Sequence, residues 1–148
     1  MRPALLLLAA LAFGTGACGR KGPVVPPELI QPDAPTHIIG TSTADGIRLS
    51  WTRPEKYTSG RPMKDLGSFV IARAPVDVPG AAFVDVARVE LDDQMRFRKE
   101  RRLEWLDRDV TPGARYVYRV TALTLDGYQS APSGPLIVRW EPPKPGAG

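Results

Sequence analysis

Cysteine and histidine are almost missing from this chain of 148 residues, which contains one of each. A single cysteine excludes an internal disulfide framework and a cysteine-rich zinc site, because each of these needs several thiols. The lone histidine, His37, excludes metal motifs built on a histidine pair and leaves one candidate base for a nucleophilic serine. The sequence therefore predicts neither a metal site nor a cofactor.

Acidic pairs are the remaining candidates for catalytic or metal-binding groups. They are Asp92 with Asp93, and Asp107 with Asp109. Both pairs lack the other ligand positions of a calcium loop, and the chain has no glycine-rich phosphate-binding loop. We expect Asp107 and Asp109 to be solvated or strand-end polar residues, and we predict that the protein is not an enzyme.

A strong charge imbalance and a membrane-length hydrophobic run are also lacking. The chain has 20 Lys and Arg against 16 Asp and Glu, a formal net charge of +4. This mild excess does not indicate a nucleic-acid binder. The apolar run at 4–13 would extend only about 15 Å as a helix, which is half the thickness of a bilayer core. The sequence thus predicts no membrane-spanning helix.

Proline and glycine, by contrast, are plentiful, with 16 and 14 residues respectively. Five prolines crowd into the stretch from Pro23 to Pro35, where they predict a stiff, extended spacer with a rise of about 3.1 Å per residue. The 43% of hydrophobic residues is enough for the core of one domain of ordinary size.

The N-terminus has the pattern of an export signal. One arginine precedes the apolar run, and the small residues at 14–17 lead directly into Cys18. This block resembles the signal of bacterial lipoproteins. The resemblance implies that residues 1–17 are removed, that Cys18 is acylated, with palmitate as one expected acyl group, and that the chain is tethered to a membrane. Gly19 after the cysteine implies the periplasmic face of the outer membrane. The alternative is an ordinary secretory signal that is cut near Ala17 and leaves a free thiol.

Residues 18–27 contain a second pattern, with Gly19, Lys21, Gly22 and Pro23 following the cysteine. It resembles the start of the small lipopolysaccharide-assembly lipoproteins, and this implies an accessory role in lipopolysaccharide transport. The alternative is a plain anchor and stalk, whose basic residues are attracted to anionic headgroups by about 1 kcal/mol each.

Short β-branched and aromatic runs separated by turn residues fill the rest of the chain. Ile47, Leu49 and Trp51 alternate with polar residues, as in a half-buried strand. Seven such runs in about a hundred residues predict an all-β, immunoglobulin-like sandwich of seven strands. We divide the chain into a signal peptide at 1–17, an anchored proline-rich linker at 18–33, the sandwich at 34–140 and a disordered Pro/Gly tail at 141–148.

The sandwich region resembles the fibronectin type III family. The matching residues are Ala34-Pro35, Leu49-Ser50-Trp51, Phe69-Val70-Ile71, the run from Val110 to Ala122, and Ser130-Ala131-Pro132-Ser133. The resemblance implies that Trp51 is the central plate of the core. It also implies that Tyr116 forms a tyrosine corner, with its hydroxyl bonded to nearby backbone.

A basic segment between the fourth and fifth strands is the main candidate binding site. Five of the seven residues at 96–102 are basic, namely Arg96, Arg98, Lys99, Arg101 and Arg102, and one is acidic. They predict a surface for an anionic partner, such as lipopolysaccharide phosphates or an acidic protein. The alternative is a solvated hairpin extension that protects a strand edge.

These features together predict a lipid-anchored, non-catalytic interaction module of the bacterial envelope. Its expected partners are the membrane, through the anchor, and an envelope protein or anionic glycolipid. Nucleic acid is not expected.

Overall fold

Seven strands and two short helical turns make up the part of the chain that the computed structural model describes, residues 22–144 and 146. The strands are β1 (Thr36–Thr43), β2 (Gly46–Thr52), β3 (Leu66–Pro75), β4 (Val84–Glu90), β5 (Arg102–Asp107), β6 (Arg115–Thr124) and β7 (Leu136–Arg139). A 3-10 turn covers Pro27–Leu29, and one α-helix, α1, covers Asp93–Phe97. The predicted signal peptide lies outside the described residues.

Two antiparallel sheets form a sandwich, which confirms the predicted fold class. One sheet has the order β1-β2-β5 and the other the order β4-β3-β6-β7. A two-residue turn joins β1 to β2, and Gly46 follows it with a φ of 151°. A Cβ at this position would lie 1.9 Å from the carbonyl oxygen of Asp107 on β5. Only glycine therefore lets β2 approach β5 this closely.

The core lies between the sheets and is centred on Trp51, whose ring meets that of Phe69 edge-on at 5.5 Å. Both side chains are fully buried, as are Ile71, Val120 and Ala122, which lie with Phe69 in the sheet that faces Trp51. Alternate residues of a strand face the same side, so the alternating apolar residues of β2 all point into this core.

The loop before β6 is held by Tyr116. The Tyr116 hydroxyl accepts a hydrogen bond of 2.9 Å from the backbone N–H of Thr111. Gly113 completes the turn with a φ of 80°, a conformation that glycine adopts at no steric cost. The contact fixes the start of the strand that pairs with both β3 and β7.

Residues that follow β7 form hydrogen bonds with the end of β1, where the two sheets meet. The indole N–H of Trp140 donates to the Thr43 carbonyl at 2.9 Å, and the Ser42 hydroxyl donates to the Glu141 carbonyl at the same distance. The backbone N–H of Glu141 in turn donates to that hydroxyl. Glu141, the first residue of the predicted tail, is therefore hydrogen-bonded to β1.

Residues 28–33, which the sequence analysis places in the linker, pack on the loop between β2 and β3. Backbone N–H groups of that loop donate to the carbonyls of Glu28 and Gln31, at 3.0 and 2.9 Å. Pro32 is buried and bridges to Tyr57. A proline can take such an edge position because it needs no partner for an N–H. A free spacer therefore extends no further than Pro26.

Antiparallel pairing decides which loops share an end of the sandwich. The chain enters β1 at one end, which we call the N-terminal pole. The β2–β3 loop (53–65), the segment 91–101 and the β6–β7 turn (125–129) lie at this pole, because each joins strands there. The turns at 44–45, 76–83 and 108–114 lie at the other end, the distal pole.

Residues 91–101 are a crossover between the sheets rather than a hairpin. β4 is an edge strand of the four-stranded sheet, whereas β5 is an edge strand of the three-stranded one. The hairpin-extension alternative is therefore wrong. The crossover contains α1, whose N-terminus is capped by Asp92, which accepts from the Met95 backbone N–H at 2.7 Å.

Candidate functional site

The five residues of the predicted basic patch do not form one surface. Arg96 turns inward, with a side chain only 10% exposed that pairs with Asp93 at 2.5 Å. Its guanidinium also donates to the carbonyls of Leu66, at 2.6 Å, and Leu91, at 3.2 Å. These bonds tie the crossover to the start of β3, so Arg96 braces the fold and exposes little of its side chain to a partner.

Arg102 and Arg101 are also engaged within the fold. Arg102 is partly buried on β5 and donates to the Ser50 hydroxyl of β2 at 2.5 Å. Arg101 pairs with Glu55 at 3.0 Å, with about half of each side chain exposed. Among the five predicted residues, only Arg98 and Lys99 are exposed with no carboxylate partner in the described part of the chain.

Arg98 and Lys99 border a cleft of about 500 Å³ at the N-terminal pole, between the crossover and the β2–β3 loop. Its lining contains six basic residues, Arg53, Lys56, Lys64, Arg96, Arg98 and Lys99, and one acidic residue, Glu55. We call this the basic cleft. The sequence analysis missed Arg53, Lys56 and Lys64 because they lie more than thirty positions upstream in the chain, and only the return of β3 and β4 brings them beside the crossover.

Arg53 is the most enclosed cation of the basic cleft, at 8% exposure. One terminal nitrogen donates to the Arg98 carbonyl, while its Nε has no hydrogen-bond partner among the described residues. Burial lowers the pKa of Arg53, and the neighbouring charges of Arg101 and Arg98 add to this effect, while Glu55 opposes it. Arg53 is thus a desolvated cation. In the described part of the chain its guanidinium bonds to a neutral carbonyl and forms no salt bridge.

Phe97 stands beside the same cleft with 63% of its surface exposed. It ends α1, and the Arg96 guanidinium lies 5.9 Å from its ring centroid. Met63 lies on the facing wall of the cleft. The rim therefore combines an exposed aromatic ring with exposed positive charge.

A second cleft of about 610 Å³ lies where β3, β4 and β5 meet, and it contains the described chain's most buried ion pair. Arg73 donates to Asp107 at 2.6 Å, and the Tyr118 hydroxyl donates to the same carboxylate at 2.8 Å. Asp107 is buried at the last position of β5, so of the two expectations it is a strand-end residue and not a solvated one.

The charge of this pair is balanced within the fold. Burial lowers the pKa of Arg73, but its bond to Asp107 and the charge of that carboxylate outweigh the effect and raise the pKa. Burial, followed by the bond to Asp107, raises the pKa of Tyr118. The Asp109 backbone N–H also donates to Asp107 at 3.1 Å. Since protein groups engage both carboxylate oxygens, the network braces the sandwich.

The other candidates for chemistry lie in ordinary positions. His37 is exposed at the bulge that starts β1, with a φ of 51°, and its ring bonds only to the Thr36 hydroxyl, at 3.1 Å. Asp92 caps α1 and Asp93 pairs with Arg96. Within residues 22–144, no three His, Cys, Asp or Glu side chains gather as metal ligands would.

The N-terminal motif is described only in part. Gly22 and Pro23 are exposed, and Val24 after them is 95% exposed. Cys18, Gly19 and Lys21 lie outside the described residues. Over the described ranges, the structure contains no helix with the length and apolar character needed to cross a membrane.

Comparison with known proteins gives a likeness of fold. No family model matches the sequence. No curated protein matches it either. The twitchin kinase region from C. elegans (Fn31-NL-kin-CRD-Ig26) aligns with a TM-score of 0.53 and 18% identity, over 75% of this chain and 17% of its own.

Two shorter chains align with lower scores. An Fn3-like protein from Clostridium thermocellum gives a TM-score of 0.48 and 18% identity, over 76% of this chain and 95% of its own. A structure described as a myokine gives 0.48 and 20% identity, over 74% and 98%. At these identities a likeness concerns the fold alone. The three-plus-four strand arrangement, together with the likeness to the twitchin region, shows that the chain has a fibronectin type III-like fold.

Proposed function

We propose that this protein is a lipid-anchored, non-catalytic interaction module at the periplasmic face of the bacterial outer membrane. The apolar run at 4–13 and the small residues before Cys18 support the anchor. The two sheets supply a rigid body that can present loops to a partner, as in other sandwich domains. The function lies in those loops, because a fold of this kind does not by itself specify an activity.

The observation that carries the proposal is the short distance in sequence between Cys18 and the first residues that pack on the sandwich. Backbone bonds fix Glu28 and Gln31 to the β2–β3 loop, so only the eight steps from Cys18 to Pro26 separate an anchor from the domain. At the rise of an extended proline-rich chain these steps reach about 25 Å. An anchor at Cys18 therefore keeps the N-terminal pole close to the bilayer.

The non-catalytic part of the proposal is supported by the uses of the ionisable side chains. Among the described residues, the His37 ring forms a hydrogen bond only to a neighbouring threonine hydroxyl. Asp107 is bonded to Arg73, Tyr118 and the Asp109 backbone, so both of its carboxylate oxygens are already engaged within the fold.

A second candidate function is that of an accessory factor for lipopolysaccharide transport, acting through residues 18–27. The exposure of Gly22, Pro23 and Val24 favours it, because these side chains and backbone groups are open to a partner. The segment 22–25 makes no backbone hydrogen bond to the sandwich in the described part of the chain, which also leaves it available for pairing.

The anchor is tested by intact-mass analysis of protein extracted from membranes. We expect an N-terminus at Cys18 that carries acyl groups, and the Cys18→Ser variant should move to the soluble fraction of the envelope. An unmodified thiol, or a different N-terminus in the wild-type protein, contradicts the proposal.

The two candidate functions are separated by crosslinking in intact envelopes. A Lys21→Gln/Pro23→Ala variant should lose its crosslinks to transport components if residues 18–27 carry the function. An Arg98→Gln/Lys99→Gln variant is the matched control, because it keeps that segment and alters only the crossover. If the first variant keeps all crosslinks while the second loses them, the accessory-factor function is rejected.

A further inference from the structure

The positive charge of the basic cleft is not neutralised by the surrounding fold. Glu55 is the only acidic residue of its lining, and it pairs with Arg101. The nearby carboxylates of the crossover are used elsewhere, since Asp92 caps α1 and Asp93 pairs with Arg96. Lys56, Lys64, Arg98 and Lys99 are all exposed, and none of the four has a carboxylate within salt-bridge distance in residues 22–144.

Arg53 provides a second, independent sign of a ligand. A buried charge is costly unless it is paired, and buried polar atoms in proteins are rarely left without a hydrogen bond. Arg53 is more than nine-tenths buried, yet its Nε has no partner among the described residues, and the nearby charge of Glu55 is opposed by those of two further arginines. An anion in the cleft would add a counter-charge to the one that Glu55 already supplies.

The cleft also has the orientation and the composition of a membrane-facing surface. It lies at the N-terminal pole, at the same end as the packed residues 28–33 that lead back to Cys18. Phe97 projects beside it, and aromatic rings next to basic residues are typical of the interface between membrane and water.

We propose that the basic cleft binds the phosphate groups of anionic lipid headgroups in the membrane that holds the anchor, with Phe97 entering the interfacial layer. Arg98 and Lys99 from the crossover and Lys56 and Lys64 from the β2–β3 loop supply the charge, and Arg53 forms the floor. The proposal rests on the proposed anchor for the identity of the membrane, but not for the binding itself. Docking would fix the orientation of the sandwich on the bilayer and leave the distal pole free for a partner.

The test uses the chain from residue 18 to 148 with Cys18→Ser, which retains every residue of the described core and carries no lipid. Its partitioning is measured by co-sedimentation with phosphatidylcholine vesicles, with and without phosphatidylglycerol. We expect binding only to the anionic vesicles. Binding should weaken as salt is raised, because exposed charges are screened beyond about 8–10 Å at physiological ionic strength.

The decisive variant is Arg98→Gln/Lys99→Gln. At about 1 kcal/mol for each basic residue near an anionic surface, it should partition about 30-fold less strongly than the unsubstituted chain. The matched control is Arg108→Gln/Lys144→Gln, which removes the same charge from exposed residues outside the cleft, Arg108 being at the distal pole. This control should partition like the unsubstituted chain. Phe97→Ser should also weaken binding, without altering the net charge.

Several outcomes would overturn the inference. Equal losses in the two double variants would mean that net charge alone drives binding. Unchanged partitioning of Arg98→Gln/Lys99→Gln would exclude the cleft. If the chain binds inorganic phosphate but does not partition to the anionic vesicles, the cleft is a site for free phosphate and not for a membrane. Because these measurements use the lipid-free chain, they can fail while Cys18 proves to be acylated, or succeed while it does not.

Discussion

The buried pair of Arg73 and Asp107 gives the sharpest test of the energetics of this fold. Their side chains are 16% and 3% exposed and lie 2.6 Å apart. The Arg73→Met substitution keeps most of the packing volume but leaves the carboxylate without its charged partner. Removing one member of a buried pair typically costs about 3–5 kcal/mol. Since Tyr118 and the Asp109 N–H still bond to Asp107, we expect about 3 kcal/mol.

The assay is urea denaturation followed by the fluorescence of the three tryptophans, of which Trp51 is fully buried. The free energy of unfolding should fall while its dependence on urea concentration stays the same, because the surface exposed on unfolding hardly changes. A loss of about 3 kcal/mol is a large part of a typical stability of about 5–15 kcal/mol. The midpoint should therefore shift clearly.

Arg88→Met is the matched control for this prediction. Arg88 also pairs with a carboxylate at 2.5 Å, that of Glu90, but both side chains are more than half exposed. Such a surface pair contributes about 0–1 kcal/mol. A double variant, Arg73→Met/Asp107→Asn, should be more stable than Arg73→Met alone, because it removes the unpaired charge. If Arg73→Met costs no more than Arg88→Met, the account of a charge-balanced network is refuted.

Three further changes test the core, the tyrosine corner and the alkaline limit of stability. Trp51→Ala should cost about 3–5 kcal/mol by the same urea assay, and a loss below about 1 kcal/mol would place the residue outside the core. Tyr116→Phe should cost about 1–2 kcal/mol, since the Thr111 N–H loses its acceptor. Burial, followed by the bond to Asp65, raises the pKa of Tyr57 from 10.0 to about 12. Folding thus favours the neutral phenol, so stability should fall as the pH rises from about 10 towards 12, and Tyr57→Phe should make the fall less steep.

Patterns within one strand or one turn were readable from the sequence. The alternation of Ile47, Leu49 and Trp51 depends only on the two-residue period of a strand, so it indicated the buried face of β2 correctly. The tyrosine-corner prediction for Tyr116 depends on the turn just before β6. The Tyr116 hydroxyl does bond to Thr111, five residues earlier. Both signals are local, and local geometry is nearly independent of how the rest of the chain folds.

The composition of a segment, by contrast, gave a poor account of what its side chains contact. Residues 28–33 were predicted to be part of a free spacer because they contain proline. Their carbonyls nevertheless accept backbone hydrogen bonds from the β2–β3 loop. Asp107 was expected to be a solvated or a strand-end residue; it does end β5, but Arg73, more than thirty positions earlier, and Tyr118 enclose it. Partners so far apart in the chain leave no pattern of spacing in a single sequence.

The basic segment shows the same division most clearly. The sequence by itself determined that positive charge is concentrated at 96–102, and that seven strands separated by turns form a sandwich. Only the tertiary structure decided that Arg96 turns inward, that Arg98 and Lys99 stay free, and that the β2–β3 loop completes a cleft around them. The reason is physical, since charge and periodicity belong to neighbouring residues, whereas a binding site forms where the pairing of strands brings distant loops to one pole.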